Sequence, residues 1–421
     1  MAKNNLIDLC CFDEEIGKIG FDENQKKSFF QYNPVFLKTG RYKNLFPLIF
    51  KRTEAVQVFS QFEGETFRGL PPMIADSLPD VFGNIIFKAW LDATQKDLHK
   101  MSVLEQLAYV SNRGMGALEY KPSKEIPQGS TINIDEIIEV LKVVLANKND
   151  TIFDKFDSQS LLNIFKIGTS AGGARPKILI SEHQETSKII PGDLEFSDDF
   201  DHYLVKLNLE NEGDFDREKM EYCYYLTAKE VGINMMYSKL IDDKHFATLR
   251  FDRQEGKKKH ILTACGLTGW DFKDPKMSSY ENLFELANYL KLSPKEIEEL
   301  FRRMVFNLVF CNTDDHLKNH SFIYDEEQDK WNLSPAYDLT YSLNPFINYK
   351  QTSRALSLNN KRINIELQDI LGLAEKYTIK NVKGIIENTE KAMINWEKNA
   401  QELKISKRMI DSIKKDFRIF L

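Results

Sequence analysis

The spacing of apolar residues changes along the chain, and each change predicts a different kind of element. Residues 1 to about 70 mix short apolar stretches with turn-rich polar ones, which predicts a small β-rich unit. Beyond it the period lengthens, because Phe82, Ile85 and Ile86 recur at helical spacing. Residues 134–147, "IDEIIEVLKVVLAN", predict a further helix. This part of the chain therefore combines strands with helices.

The rest of the chain starts with strands and ends mainly in helices. The runs "KILI", "DHYLVKLNL" and "FATLRFDR" are strand-like, and residues 217–231 predict a helix that Gly232 terminates. Ser293 and Pro294 are typical of the N-cap and first turn of another helix. Two strand-like pieces, "SFIYD" and "KWNLSPAYDLTYS", precede the last helices. This order predicts an α+β protein rather than an alternating parallel sheet.

Composition narrows the class of protein without indicating a function. The 421 residues carry a net charge of -6, with 42% hydrophobic and 29% charged residues, as in ordinary globular proteins. This charge argues against a surface built as a whole for nucleic acid or anionic lipid. No apolar run predicts a membrane span or a secretory signal. We expect a cytoplasmic protein with reduced thiols, because no CxxC pair occurs among Cys10, Cys11, Cys223, Cys265 and Cys311.

The densest polar segment, "NTDDHLKN", follows the helix that begins at Pro294. Asp314 and Asn319 are five positions apart, which is the Asp-x-x-x-x-Asn spacing of the protein-kinase catalytic loop. In that loop the aspartate accepts a hydroxyl proton and the asparagine holds Mg²⁺. Asp338 lies nineteen residues after Asn319, and a hairpin of that length would return it as a second oxygen ligand. The pattern predicts a phosphoryl-transfer site.

This segment also has two other interpretations. Taken alone, "TDDH" after a helix is more often a solvated helix end than a catalytic loop. His316 and His320 are four positions apart, as in zinc proteases, but Leu317 occupies the place of the required glutamate. A zinc site is therefore disfavoured, whereas the solvated helix end stays open.

Upstream residues supply the other groups that phosphoryl transfer needs. Lys206 lies in the middle of the strand-like run, with apolar neighbours, where its ammonium could grip nucleotide phosphates. Glu221, in the following helix, could pair with Lys206 and fix its position. Taken singly, Lys206 is equally consistent with an edge-strand surface lysine, and Glu221 with a solvated helix face.

A glycine-rich stretch, "GTSAGGARPK", precedes the strand of Lys206. Gly168 and Gly173 have the four-residue gap of a Walker A loop, but Ala174 and Arg175 stand where that loop requires Lys and Ser/Thr. The dinucleotide-binding glycine pattern also fails. Its place in the chain is that of a phosphate-covering loop, and the alternative is a flexible turn before a strand.

Together these motifs carry a family resemblance. The segments "SAGGARPK", "YLVKLN", "EYCYYLTAKEVGI", "LRFDR", "NTDDHLKNHSF" and "LSPAYDLTYS" resemble those of the HipA-like serine/threonine kinases, the toxins of bacterial toxin–antitoxin systems. "GLPPMIADSLPDVFGN" is similar to the first subdomain of that family. The resemblance runs in order from about residue 20 to residue 345.

The resemblance implies a protein-kinase-like, two-lobed α+β fold that uses ATP and Mg²⁺. On this basis we expect a HipA N-terminal subdomain over residues 1–130, β-rich with helices. Residues 131–275 would form a region like the kinase N-lobe, with the glycine-rich loop and the ATP lysine. Residues 276–421 would form a larger, mainly helical C-terminal lobe with the catalytic loop.

The resemblance also implies roles for single residues. Asp314 would be the catalytic base, and Asn319 and Asp338 would be the Mg²⁺ ligands. The residues expected to bind the nucleotide are Lys206, Glu221, Gly172, Gly173, Phe251, His316 and Tyr337.

In this family a serine of the glycine-rich loop is autophosphorylated, which inactivates the kinase. The matching residue is Ser170, and Thr169 is the alternative hydroxyl. A phosphate would add nearly two negative charges to a loop that covers the ATP phosphates, so repulsion would favour inactivation. One residue departs from the family pattern: Leu249 stands where some relatives carry Glu, which matters only if that side chain contacts adenine.

The implied function is phosphorylation of a protein, with an aminoacyl-tRNA synthetase as the family precedent, to arrest translation and growth. The implied partner is a helix-turn-helix antitoxin of the HipB type, and through it operator DNA. Two alternatives are a low-activity chain that serves as the partner of such a repressor, and a small-molecule kinase. The set of Lys206, Asp314, Asn319 and Asp338 favours the active kinase, because a chain released from catalysis has no physical need for all four.

Overall fold

The chain divides into two compact units of discontinuous sequence. A computed structural model describes residues 6–79, 101–123, 134–146, 175–192, 197–209, 215–347 and 352–421. The first unit comprises Met1–Leu209, Ala247–Leu262 and Tyr324–Asp329, and the second comprises Glu210–Phe246, Thr263–Ile323 and Lys330–Leu421.

Fifteen strands occur in the described parts of the chain, and most of them pair with a neighbour in sequence. Their bounds are β1 (Leu6–Cys11), β2 (Glu14–Asp22), β3 (Lys27–Tyr32), β4 (Gln57–Phe59), β5 (Leu118–Lys121), β6 (Lys177–His183), β7 (Ile189–Pro191), β8 (Phe200–Lys206), β9 (Ser238–Ile241), β10 (His245–Leu249), β11 (Arg253–Gln254), β12 (Lys257–Lys258), β13 (Ile261–Thr263), β14 (Ser321–Asp325) and β15 (Lys330–Leu333).

The three longest helices in the described residues belong to the second unit. Their bounds are α1 (Pro34–Thr39), α2 (Gly64–Phe67), α3 (Pro72–Ala75), α4 (Val103–Val110), α5 (Ile134–Ala146), α6 (Arg217–Glu230), α7 (Ala264–Thr268), α8 (Tyr280–Tyr289), α9 (Pro294–Val309), α10 (Leu367–Lys376), α11 (Val382–Glu402) and α12 (Lys407–Lys414), with a 3₁₀ helix at Leu317–Asn319.

The first unit contains an antiparallel sheet in the order β4-β3-β2-β1-β5. Its burial follows the two-residue period of a strand, so that Ser28, Phe30 and Tyr32 of β3 are buried while Gln31 is exposed. The ring of Phe30 stacks on that of Phe50, with centroids 3.9 Å apart. One face of this sheet therefore carries the aromatic core of the predicted β-rich unit.

In a second sheet, β6 lies between β7 and β8, in antiparallel register. Lys177 of β6 lies directly opposite Lys206 of β8. The sequence prediction that Lys206 is mid-strand is wrong, because β8 ends at this residue. The Leu207 amide still donates to the Pro176 carbonyl, and their distance of 3.0 Å is typical of a hydrogen bond between paired strands. Pro176 has no N–H to return, so the ladder stops there.

Two other predicted strands are shorter than their patterns suggested. β10 ends at Leu249, because the next residues turn inward into a buried ionic network. β15 ends at Leu333, two residues before Pro335, which cannot donate a ladder hydrogen bond. The helical period at Phe82 and its neighbours lies outside the described residues.

The buried ionic network of the first unit centres on Asp252. Its carboxylate accepts hydrogen bonds from Arg250 Nε (2.9 Å), Arg250 Nη2 (2.8 Å), Arg253 Nη1 (2.8 Å) and the Gly116 amide (2.8 Å). Arg253 also donates to the carbonyls of Gly114 and Gly116. Gly116 has a φ of +78°, a conformation that glycine adopts without the steric cost of a side chain. Burial alone would raise the pKa of Asp252, but the two arginines outweigh it and lower the pKa.

The second unit is built on three helices whose aromatic residues meet. Trp396 of α11 is fully buried, and its ring lies edge-on to that of Tyr224 of α6, with centroids 6.2 Å apart. The Tyr224 hydroxyl donates to the carbonyl of Phe310, the residue that follows α9 (2.6 Å). α9 begins as predicted, with Ser293 as the N-cap of a capping box and Pro294 in the first turn.

The α+β prediction is confirmed by this arrangement of antiparallel sheets and helices. None of the helices in the described part of the chain combines the length and the apolar character that a bilayer crossing requires.

We predict that Asp252→Asn destabilises the protein by about 3–5 kcal/mol, because it leaves two buried arginines without their carboxylate. The measurement is urea unfolding followed by circular dichroism, with exposed Glu185→Gln of the same unit as the control. Because the folded-state pKa of Asp252 is lowered, its contribution in the wild type is full at neutral pH and is lost only as the pH falls below the ordinary value of 3.8. A variant as stable as the control would contradict this role.

Candidate active site

The polar segment after α9 forms a tight connection to β14. α9 ends at Val309, and Cys311 then takes a φ of +55° that reverses the chain. The next residues have no regular secondary structure as far as the 3₁₀ helix Leu317–Asn319, and β14 begins at Ser321. The segment is therefore an ordered loop with defined hydrogen bonds, and not simply a solvated helix end.

The two adjacent aspartates of this loop have opposite environments. The Asp314 side chain is 69% exposed, whereas the Asp315 side chain is fully buried. Asp315 accepts hydrogen bonds from Arg354 Nη2 (2.7 Å) and Nε (3.2 Å), from the Leu356 amide (3.2 Å) and from the Tyr280 hydroxyl. Burial disfavours the charge of Arg354, but the carboxylate of Asp315 outweighs it and raises the pKa of Arg354. The carboxylate of Asp315 is thus used in hydrogen bonds inside the protein, whereas the carboxylate of Asp314 is accessible to solvent.

Asn319 and His316, of the same loop, lie close to Asp314. Asn319 Nδ2 donates to the Asp314 carbonyl at 2.8 Å, which closes the five-residue turn between them. His316 Nε2 lies 3.9 Å from Asp314 Oδ1, and the His316 ring packs on Phe272 with centroids 5.1 Å apart. His320 is buried, and burial lowers its pKa to about 4, so that it is neutral at physiological pH.

The chain after β15 returns to this loop. The Tyr337 hydroxyl donates to the Lys318 carbonyl at 2.8 Å and also contacts the Ser321 hydroxyl. Asn312 Nδ2 donates to the Asp338 carbonyl at 3.3 Å. Asp338 itself has a φ of +55°, in the left-handed region. Hydrogen bonds of Tyr337 and Asn312 therefore join the connection between α9 and β14 to the segment that carries Asp338.

The donor chemistry of this region suits a hard divalent cation. Mg²⁺ prefers carboxylate and amide oxygens, which Asp338 and Asn319 provide. The Asn319 amide nitrogen is already used by the Asp314 carbonyl, so its oxygen is the end that a cation would meet. These residues fit Mg²⁺ by ligand type.

The other predicted residues are placed as follows. Glu221 is buried in the second turn of α6, within the second unit. Lys206 and Phe251 are buried in the first unit, each 8% exposed. The residues of the glycine-rich loop lie outside the described part of the chain: Thr169, Ser170, Gly172 and Gly173.

Sequence reasoning missed two residues beside those it selected. Lys177 is 3% exposed and faces the same side of the sheet as Lys206, because directly paired residues share a face. Two ammonium groups on one face suit a polyanion such as a nucleotide. The twenty-eight residues between them conceal this relation until the register of β6 and β8 is known. Asp315 was missed because nothing in the sequence separates it from Asp314.

The fold matches a solved toxin structure along almost all of its length. HipA of Shewanella oneidensis MR-1, in its complex with HipB and operator DNA, aligns with 97% of this chain and 94% of its own, with a TM-score of 0.63 and 15% sequence identity. At this identity the match establishes the fold alone. The chain therefore has the α+β fold of a HipA toxin.

Sequence models specify the family. The HipA-like C-terminal domain matches residues 169–397, and the HipA N-terminal domain matches residues 7–121. The chain belongs to the HipA family. It is also 29% identical over 177 residues to the protein named "Putative kinase Y4dM" of Sinorhizobium fredii. That match covers 40% of this chain and spans about two fifths (41%) of the length of the relative.

We predict that Tyr337→Phe lowers the free energy of unfolding by about 1–3 kcal/mol, because the Lys318 carbonyl loses its donor in a partly buried place. Tyr237→Phe is the matched control, since its ring is 55% exposed and belongs to the same unit. Urea unfolding of both variants provides the comparison. Equal stability of the two variants would show that the Tyr337 hydroxyl does not hold this loop.

Proposed function

We propose that this chain is an ATP-dependent serine/threonine protein kinase of the HipA toxin type. The observation that carries the proposal is the split between the two adjacent aspartates. Asp315 is buried under four hydrogen bonds, while Asp314 is 69% exposed and next to Asn319. A base for an incoming hydroxyl must be accessible and yet held by a rigid neighbour. Membership of the HipA family supports the same assignment.

In the proposed reaction Asp314 accepts the proton of the acceptor hydroxyl. The oxygen of that hydroxyl bonds to the γ-phosphorus of ATP as the bond to the departing ADP oxygen breaks. Asn319 and Asp338 would hold Mg²⁺, which neutralises charge on the transferring phosphates. Asn319 also keeps Asp314 in place through its hydrogen bond to the Asp314 carbonyl.

Several of the predicted residues are proposed to bind the nucleotide. Lys206 would contact the phosphates, and Lys177, opposite it in the sheet, would add a second positive charge on the same face. Glu221 is proposed as a further nucleotide-binding residue. Phe251, His316 and Tyr337 would lie near the nucleotide, and Gly172 and Gly173 would let the loop backbone approach the phosphates. Phosphoryl transfer requires little more than such positioning and charge.

The proposed partner is a helix-turn-helix antitoxin of the HipB type, through which the chain would meet operator DNA. The Shewanella HipA structure contains such a partner and DNA, and it shares the fold of this chain. The net charge of -6 favours contact with DNA through the partner rather than directly. We place the reaction in the bacterial cytoplasm, with a protein of the translation machinery, such as an aminoacyl-tRNA synthetase, as the target.

We predict that the purified chain, first treated with phosphatase, incorporates label from radiolabelled ATP in the presence of Mg²⁺. Asp314→Asn should lower the rate by about 10²–10⁴-fold, since proton acceptance is lost. Asp411→Asn, an exposed aspartate of the same unit, is the matched control and should behave as the wild type.

Lys206→Met should weaken ATP binding, and its control is exposed Lys188→Met of the first unit. Label in Asp314→Asn equal to that in the wild type would remove Asp314 from the reaction. Absence of label and of ATP hydrolysis in the wild type would overturn the kinase proposal and favour a chain that serves only as a partner of a repressor.

We also predict that the self-incorporated label lies on Ser170. Ser170→Ala should abolish self-labelling, while Thr169→Ala should leave it intact, with the modified peptide located by mass spectrometry. With an added protein as the acceptor, phosphorylated wild type should then transfer phosphate more slowly than Ser170→Ala, because the added charge repels the ATP phosphates. Label that persists in Ser170→Ala would reject this site without affecting the assignment of Asp314.

A further inference from the structure

We propose that Asp315 and Arg354 are positioning residues that tie the segment following Asp338 to the catalytic loop. This inference rests on the proposed kinase function, since it assigns these two residues a role in the rate of phosphoryl transfer. Neither residue is assigned to contact ATP or the acceptor hydroxyl. They would act through Asp314, which is the chain neighbour of Asp315, and through Asp338.

The ion pair between them is buried and makes several hydrogen bonds. Arg354 donates twice to Asp315 Oδ2, at 2.7 and 3.2 Å, and once to the Asn312 carbonyl, at 3.0 Å. The Asp315 side chain is fully buried and that of Arg354 is 7% exposed. The planar fork of arginine fixes both partners in angle as well as in distance. The catalytic loop is therefore held on both sides of Asp314.

Backbone contacts extend the tie to the neighbours of Arg354. The Ala355 amide donates to the Thr313 carbonyl at 2.8 Å, and the Leu356 amide donates to Asp315 Oδ1 at 3.2 Å. The Thr313 amide in turn donates to the Ser342 hydroxyl at 2.9 Å, so that the loop also meets the beginning of the segment. Thr313 and Asp315, the residues on either side of Asp314, are thus both bound to the chain that comes after Asp338.

A chain of buried amides links the same network to Asp338. The Tyr280 hydroxyl, which contacts Asp315, accepts from Asn307 Nδ2 at 3.2 Å. Asn307 Oδ1 accepts from Asn312 Nδ2 at 3.0 Å, and that nitrogen also donates to the Asp338 carbonyl at 3.3 Å. One hydrogen-bond network therefore connects the loop that carries Asp314, the proposed base, with the backbone of Asp338, a proposed Mg²⁺ ligand.

Stability alone is a weak reason for such a pair. Burying two charges carries a desolvation cost that their attraction often only offsets, and apolar residues of similar volume can be more stable. What the pair provides is a single geometry, because its hydrogen bonds are satisfied in only one arrangement of loop and segment. Displacement of catalytic groups by about 1 Å can cost about 10²-fold in rate. A role in positioning is therefore the stronger account.

The test uses the full chain with the double substitution Asp315→Asn and Arg354→Gln, which removes the pair without leaving a buried lone charge. The matched control is Lys398→Gln with Glu402→Gln, an exposed ion pair at 3.8 Å in the same unit. Self-phosphorylation is measured over a range of ATP concentrations, and hydrogen exchange is measured at the amides of Ala355 and Leu356. Should the double variant fail to fold, Arg354→Lys and Tyr280→Phe provide milder changes.

We expect the double variant to phosphorylate about 10²-fold more slowly at saturating ATP, with a half-saturating ATP concentration that changes by less than about threefold. The two amides should exchange at least about tenfold faster than in the control. Arg354→Lys should lie between the wild type and the double variant. Unchanged exchange, or faster exchange with an unchanged rate, would overturn the proposal. A wild type that transfers no phosphate would remove the kinase function, while the exchange measurement would still decide whether the pair holds the segment.

Discussion

The buried ion pair of Asp315 and Arg354 is the constraint on which the geometry of the candidate site depends. Without it, the segment after β15 would keep its contacts through Tyr337 and Asn312, but the bonds from the Ala355 and Leu356 amides to the residues on either side of Asp314 would lose their buried support. The exposed carboxylate of Asp314 has a defined place because the residue next to it is fixed. A rigid buried residue beside an accessible one is a simple way to present a reactive group from a loop.

The first unit contains a similar buried carboxylate with arginine and amide donors. Asp252 is fully buried and accepts from two arginines and a backbone amide, so that irregular backbone at Gly116 and at the end of β10 becomes ordered. Each unit thus contains a fully buried aspartate that accepts hydrogen bonds from arginine and backbone amide donors where regular secondary structure ends. Such centres order the backbone where ladder hydrogen bonds are lacking, and they carry the cost of burying charge.

Local patterns predicted most of the elements and little of their contacts. The capping box at Ser293 and the strand Ser321–Asp325 were predictable because turn chemistry and alternation act over a few residues. The distinct roles of Asp314 and Asp315 were not, since Arg354 lies 39 residues away from the aspartate it pairs with. The pairing of Lys177 with Lys206 likewise depends on the register of two strands. The spacing of Asp314, Asn319 and Asp338 did suggest a common site, and its assigned chemistry stays a proposal.

The left-handed backbone of Asp338 has a consequence for how activity could be lost in evolution. Asparagine adopts this conformation readily, whereas a β-branched residue would strain it. A change from Asp to Asn would therefore preserve the turn while removing a negative charge from the proposed metal site. Under the proposed function, one substitution that the backbone tolerates would separate a catalyst from a binding protein at this position. For the proposed kinase, the turn at Asp338 is therefore a short path from enzyme to binding protein.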